Sequence, residues 1–184
     1  MRTTKAELLK AFQIRCARVA VGPSTVRGQG VSGTVKAARN YLSSLPLGQF
    51  GTSRPTVMRA RLDRATIDLM DALPRRGRSW GIARKVLNIF LRDALYTVYL
   101  RGAFRLERGE HLLEVPLDSI TAKWIRRRYV GAGHLPRWGG VKRLTPDVSD
   151  QYQTAAQAIA AARGIARVHL DAYWWGVRGR RGAG

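Results

Sequence analysis

Apolar side chains recur along most of this chain at the i, i+3, i+4 spacing of helices, and hardly anywhere at the strict alternation of strands. Residues 4–20 make the first such segment, with Leu8, Leu9, Phe12 and Val19 at its apolar positions. A loop over 22–33, rich in Gly and Ser, leads into a second helix over about 32–45 that carries Val35, Ala38, Tyr41 and Leu42 on one face. After a loop over 46–53, Ser53 is placed as N-cap and Pro55 in the first turn, where its missing N–H costs nothing. The helix they open runs to about Leu73, with Met58, Leu62, Ala65 and Leu69 inward and Arg64 one turn from Asp68. A basic turn, PRRGRSWG over 74–81, follows.

From 82 to 100 apolar residues fall almost all round a helix, which predicts a central and mostly buried element. Its thin polar stripe is Lys85, Asn88, Arg92, Tyr96 and Tyr99. Residues 102–114 read as a short β-hairpin turning at Arg108-Gly109. Pro116 starts a helix to about Arg128, and a glycine-rich loop over 131–140 follows. Thr145-Pro146-Asp147 is a strong helix start, with an acid placed favourably against the helix dipole. That helix ends near Gly164, and a last one over 165–175 stops at Gly176. The pattern predicts an all-α fold: one compact multi-helix domain over 1–176, a short β-hairpin inserted in it, and a disordered basic tail over 177–184.

The chain has 184 residues, 45% of them hydrophobic, enough for one domain with a real core. Lys plus Arg is 33 against 12 for Asp plus Glu, a formal charge of +21. Only three of the arginines (Arg178, Arg180, Arg181) lie in the tail, so the charge belongs to the folded body. A surplus of that size repels itself unless a polyanion shares the surface, and nucleic acid is the commonest such partner. No stretch approaches the ~18 apolar residues of a spanning helix, and the start does not read as a signal peptide, so no membrane partner is expected. Cys16 is the only cysteine, and His111, His134 and His169 have no motif spacing; no metal and no cofactor are expected. A cytoplasmic, nucleoid setting fits, and a monomer.

Lysine is scarce beside arginine, and Lys85 lies near the start of the most apolar helix. Desolvation disfavours an ammonium, and a neutral amine is a nucleophile toward a sugar anomeric carbon or a carbonyl. The same residue type also serves simply by snorkelling to solvent. Asp118, one of few acids, falls at a helix start after Val115-Pro116-Leu117. It can act as a plain N-cap, as a carboxylate steadying developing positive charge, or as both, since capping leaves one oxygen free.

Gly81-Ile82-Ala83-Arg84-Lys85-Val86, followed by Val115-Pro116-Leu117-Asp118, resembles the helix-hairpin-helix DNA glycosylases, closest to their 8-oxoguanine branch. In that family a Gly-Val-Gly-x-Lys hairpin leads into a helix bearing the catalytic lysine, and a Val-Pro-Val-Asp segment supplies the catalytic aspartate. The resemblance covers mainly residues 74–128 and implies Lys85 as nucleophile and Asp118 as its carboxylate. More loosely, Gly164, Ala166, Arg167 and Asp171 fall where the family presents base-pocket residues, and Trp174 is expected to complete that pocket by stacking. It implies a bifunctional glycosylase and AP lyase of base-excision repair that flips a damaged base, such as 8-oxoguanine, out of double-stranded DNA.

Arg75, Arg76, Arg78, Gly81 and Arg84 at the hairpin, and Arg126, Arg127 and Arg128 after Asp118, are the expected DNA contacts. A solvated charged face is the competing reading of both runs. Tyr173, Trp174 and Trp175, with Trp80 and Trp138, are candidates for stacking on the base or for the core. His169 can touch a phosphate, and Arg27 and Gln29 can probe the opposite strand. Two other functions stay open: a non-catalytic basic DNA- or RNA-binding protein, and a glycosylase for another modified base.

Overall fold

The protein is described by a computed structural model covering residues 4–26, 31–131 and 133–178. Its elements are α-helices and short 3-10 turns, and among the described residues there is no strand. Helix α1 (Lys5–Ala20) opens on a capping box, in which Thr4 and Glu7 satisfy each other's backbone N–H. α2 (Thr34–Ser44) starts after Gly33, whose φ of 86° suits a residue without a Cβ. α3 (Pro55–Ala72) has Pro55 at its first position, and its N-cap is Arg54, not Ser53. Arg54 makes no side-chain cap bond, so the proline's fixed φ sets this start.

Ser79 caps α4 (Trp80–Tyr96), its hydroxyl accepting from the Ile82 N–H at 3.4 Å. α4 carries twelve buried residues and packs against α1, α2 and α3, as its apolar pattern predicts. The predicted single helix over 82–100 is two. Thr97 ends α4, its hydroxyl and N–H both turned back on Asp93 O, and α5 (Val98–Phe104) starts afresh.

The β-hairpin over 102–114 is not formed. α5 runs into its first residues, Arg105 takes a left-handed φ of 53°, and a 3-10 turn occupies Leu106–Leu112. A hairpin turning at Gly109 needs positive φ there, which Gly109 does not adopt. It is a glycine for close packing instead: a Cβ on it would stand 2.4 Å from Phe50 O and 2.5 Å from Met58 Cε.

Asp118 caps α6 (Ser119–Arg128), and Thr145 caps α7 (Pro146–Ala161). α8 (Leu170–Arg178) does not stop at Gly176, and residues 179–184 lie outside the described residues. α1 to α5 enclose one apolar cluster around Leu87, Phe90 and Leu91. α6 to α8 enclose a second around Ile125, Tyr152 and Trp174. The two meet along α4 and the 113–118 segment, and the candidate site opens there.

Candidate active site

Lys85 lies in the second turn of α4, where the helix passes between α1 and the start of α6. Its residue is 9% exposed, so its long side chain runs through the protein to reach a cavity. The ammonium donates to Thr25 O at 3.0 Å and stands 3.9 Å from Asp118 Oδ2. Burial pulls the lysine below its ordinary range, and the carboxylates of Asp118 and Asp171 act against that. Lys85 thus has its ammonium form disfavoured by burial while it keeps its ion-pair partner.

Asp118 divides its two oxygens between two tasks. Oδ1 accepts the backbone N–H groups of Ile120 and Thr121, both at 2.9 Å, which fixes the side chain as the cap of α6. Oδ2 is left to face Lys85. The carboxylate is therefore positioned by the helix it caps, and the two candidate groups share one cavity of about 460 Å³. That size falls within the roughly 300–1,000 Å³ of ordinary small-molecule sites.

Arg92, Asp93, Tyr96 and Asp171, with Ser24 and Thr25, form the rest of the polar lining. Arg92 donates through Nε and Nη2 to Asp93 Oδ1 at 3.0 and 2.8 Å, and through Nη1 to Asp171 Oδ2. The Thr121 hydroxyl donates to Asp171 Oδ1 at 3.3 Å. Burial raises the carboxyls of both Asp93 and Asp171, and Arg92 works against it in each. Tyr96 closes the far end, its hydroxyl 2.9 Å from His169 Nδ1, while His169 Nε2 lies 2.8 Å from Glu110 Oε1.

Of the sequence-predicted residues, Lys85, Asp118 and Asp171 come together here. Others do not. Arg84, expected at the DNA, is 2% exposed and makes a two-bond pair with Glu114 at 2.7 Å each, with further bonds to Asp63 and Thr66. One residue before Lys85 on a helix points about 100° away, into the core rather than the cavity. Arg167, expected at the base pocket, donates to Leu113 O and Leu112 O at 3.1 and 2.9 Å. It lines a separate cavity of about 330 Å³ beside Arg59 and Asp150. Trp174, expected to stack on a base, is 1% exposed and stacks on Trp124 in the second core.

Gly81, expected at a phosphate, is buried, and a Cβ on it would stand 2.0 Å from Val141 O. His169 has both ring nitrogens engaged within the protein. Trp80 lies beneath the Arg84 guanidinium, and Trp138 donates to Ser119 Oγ at 3.2 Å with its ring edge-on to Tyr152. Arg75, Arg76, Arg78, Arg126 and Arg127 are exposed, and Arg78 also donates to Asp71 O at 2.8 Å. Arg126 and Arg127 end α6, about 12–14 Å along its axis from the Asp118 end. Arg27 and Gln29, and the side chain of Trp175, lie outside what is described.

Sequence reasoning missed Arg92, Asp93 and Tyr96 as site residues. Arg92 and Tyr96 were visible as members of the polar stripe through Lys85. The stripe itself divides: Asn88 turns to Glu114 at 2.9 Å, and Tyr99 stacks on Phe12 with ring centroids 4.8 Å apart. No family model, curated protein or solved structure matches this chain.

Proposed function

We propose that the protein is a DNA glycosylase with AP-lyase activity, which excises a flipped damaged base from duplex DNA with Lys85 as nucleophile. The observation that carries the reading is the pair itself: a buried lysine facing the free oxygen of a capping aspartate at 3.9 Å, in a cavity of a chain with charge +21. A lysine perturbed by desolvation beside a specific charge partner in a cleft is a candidate reactive group. The resemblance of Gly81–Val86 and Val115–Asp118 to the helix-hairpin-helix glycosylases supports the same roles, and it favours an oxidised purine such as 8-oxoguanine.

The neutral Lys85 amine attacks C1′ of the flipped nucleotide, and the bond to the base breaks with its electron pair leaving on the base. Asp118 Oδ2 offsets the positive charge that develops on the sugar and takes the proton released from Nζ. As the C1′–O4′ bond breaks, O4′ takes the proton back from Asp118, which leaves a Schiff base between Nζ and C1′. Asp118, again a carboxylate, then takes a C2′ proton, and the 3′ phosphate leaves with the electron pair of its bond to C3′, which nicks the strand. We place the protein in base-excision repair, acting as a monomer in the nucleoid. Among the described residues no helix is long and apolar enough to cross a membrane.

The test is borohydride trapping on duplexes carrying single lesions, including 8-oxoguanine, with wild type beside Lys85→Gln. A wild-type crosslink to one lesion that Lys85→Gln loses is the expected result. The charge alone favours a second reading, a non-catalytic nucleic-acid binder. Tight, salt-sensitive binding with no crosslink and no base release on any duplex would establish that reading in place of the first.

A further inference from the structure

Between Glu7 and Asp63 the chain contains no acidic residue, while Lys10, Arg15, Arg18, Lys36 and Arg39 all fall in that stretch. Helices α1 and α2 come from it and pack antiparallel. Gln13 donates to Leu42 O and Leu45 O at 2.9 and 2.8 Å, and Arg39 Nη2 donates to Arg18 O at 3.1 Å. On their outer side they leave an open groove of about 620 Å³. Ile14 and Val35 contribute its apolar lining, Lys10, Arg18, Lys36 and Arg39 line it with positive charge, and no acidic residue borders it.

Two of these cations also serve the fold. Lys10 donates to Ser43 O at 2.6 Å and Arg39 to Val21 O at 2.8 Å, so each sits against the C-terminal end of the opposite helix. Those bonds leave two of three lysine donors and three of five arginine donors unused. Arg18 and Lys36 have no such task. Both are exposed, and among the described residues neither side chain makes a hydrogen bond or ion pair. Four like charges held around one groove cost the free protein self-repulsion, which an anion in the groove removes.

The groove also has a direction. Its Arg18 is followed by Val19, which lies on the rim of the Lys85 cavity, so α1 alone separates the two. Lys10 to Arg18 spans about 12 Å of helix axis. Over that length one strand of a duplex carries three to four phosphates, at about 3.4 Å each.

We propose that the α1–α2 groove is a seat for the DNA phosphodiester backbone, in which Arg18 and Lys36, with Lys10 and Arg39 behind them, hold one strand beside the Lys85 cavity. The proposal rests on the reading of duplex DNA as the partner, but not on any chemistry at Lys85.

The test is the salt dependence of binding to an undamaged 20-base-pair duplex, compared for wild type, Arg18→Gln/Lys36→Gln, and Arg54→Gln/Arg64→Gln as an equal loss of charge at the cap and on the face of α3. Each phosphate contact contributes about 0.9 to the slope of log affinity against log salt. The groove variant is expected to lower that slope by about 2, with a melting temperature no lower than wild type because self-repulsion is relieved, while the α3 variant keeps the wild-type slope. An unchanged slope in the groove variant, an equal fall in the α3 variant, or no salt-sensitive binding by wild type overturns the proposal. Lys85→Gln should bind with the wild-type slope, so a failed crosslink and a failed groove are read separately.

Discussion

Arg84 and Lys85 are neighbours on α4 with opposite fates. Arg84 turns inward to a buried carboxylate, and Lys85 turns to the cavity. The Arg84 pair is made by residues 30 positions apart, which no local pattern encodes; the sequence offers only one more arginine beside a hairpin. Glu114, fully enclosed, is penalised by burial, yet Arg84, Arg167 and Asn88 outweigh that and hold its carboxyl down at about 2 against an ordinary 4.5. A carboxyl lowered in the folded state stabilises above its unfolded value, and that stabilisation is lost as pH falls through the folded one. We therefore expect wild type to lose about 3 kcal/mol between pH 4.5 and 2 through this group. Asp93 and Asp171, raised by burial, act in the opposite sense and stabilise as they protonate, so part of the loss is offset at the upper end of that range. Urea unfolding of wild type and Glu114→Gln across these pH values reads the difference. Parallel stability curves for the two proteins would show that Glu114 does not carry the acid sensitivity.

Most helix positions were legible from local signals. The caps at Asp118 and Thr145, and the apolar girth of α4, follow from residues within a turn or two of one another. Lys85 and Asp118 were legible for the same reason, since one stands in a stripe on that helix and the other at a cap. Two failures were local: Arg54 takes the cap expected of Ser53, and Thr97 turns back on Asp93 O and divides the helix read over 82–100. The others needed knowledge of distant chain. Gly109 was read as a turn, but it is small because Phe50 and Met58 pack against it from more than fifty residues away. Gly81 is a similar case with consequences for the site. It lets the first turn of α4 lie directly on the Val141–Arg143 turn, where a Cβ would stand 2.0 Å from Val141 O and 2.7 Å from Leu144 Cβ. Backbone and a buried leucine cannot yield as a flexible side chain can, so Gly81→Ala should destabilise by about 1–3 kcal/mol. For a chain of this size that corresponds to about 2–4 °C of melting temperature per kcal/mol. A melting temperature equal to wild type would mean that the contact relaxes freely, and that the seat of α4 is not set by this glycine.

The whole molecule is a charged body built around a less basic site. Three of its twelve acids, Asp93, Asp118 and Asp171, line the Lys85 cavity, while the span from α1 after Glu7 through α2 has none. On the proposed reading of DNA as the partner, this separation would keep phosphates on the surface and leave the cavity to uncharged parts of a nucleotide, because carboxylates repel the one and not the other. It also couples stability to the partner. The free protein carries unrelieved repulsion from its charge of +21, and a ligand that binds only the folded state stabilises it by about 2.7 kcal/mol at a hundred times its dissociation constant. At low salt a 20-base-pair duplex in that excess should therefore raise the melting temperature by about 5–11 °C. Salt should act in two directions: it screens the repulsion in the free protein, raising its melting temperature, and it weakens phosphate binding, so the shift caused by DNA shrinks. Thermal melts with and without the duplex, at about 50 and 500 mM salt, separate the two effects. A DNA-induced shift that survives high salt would mean that contacts other than charge hold the duplex. No shift at low salt would mean that the positive surface is not a nucleic-acid surface at all, and the reading of the cavity as a site for a flipped base would fall with it.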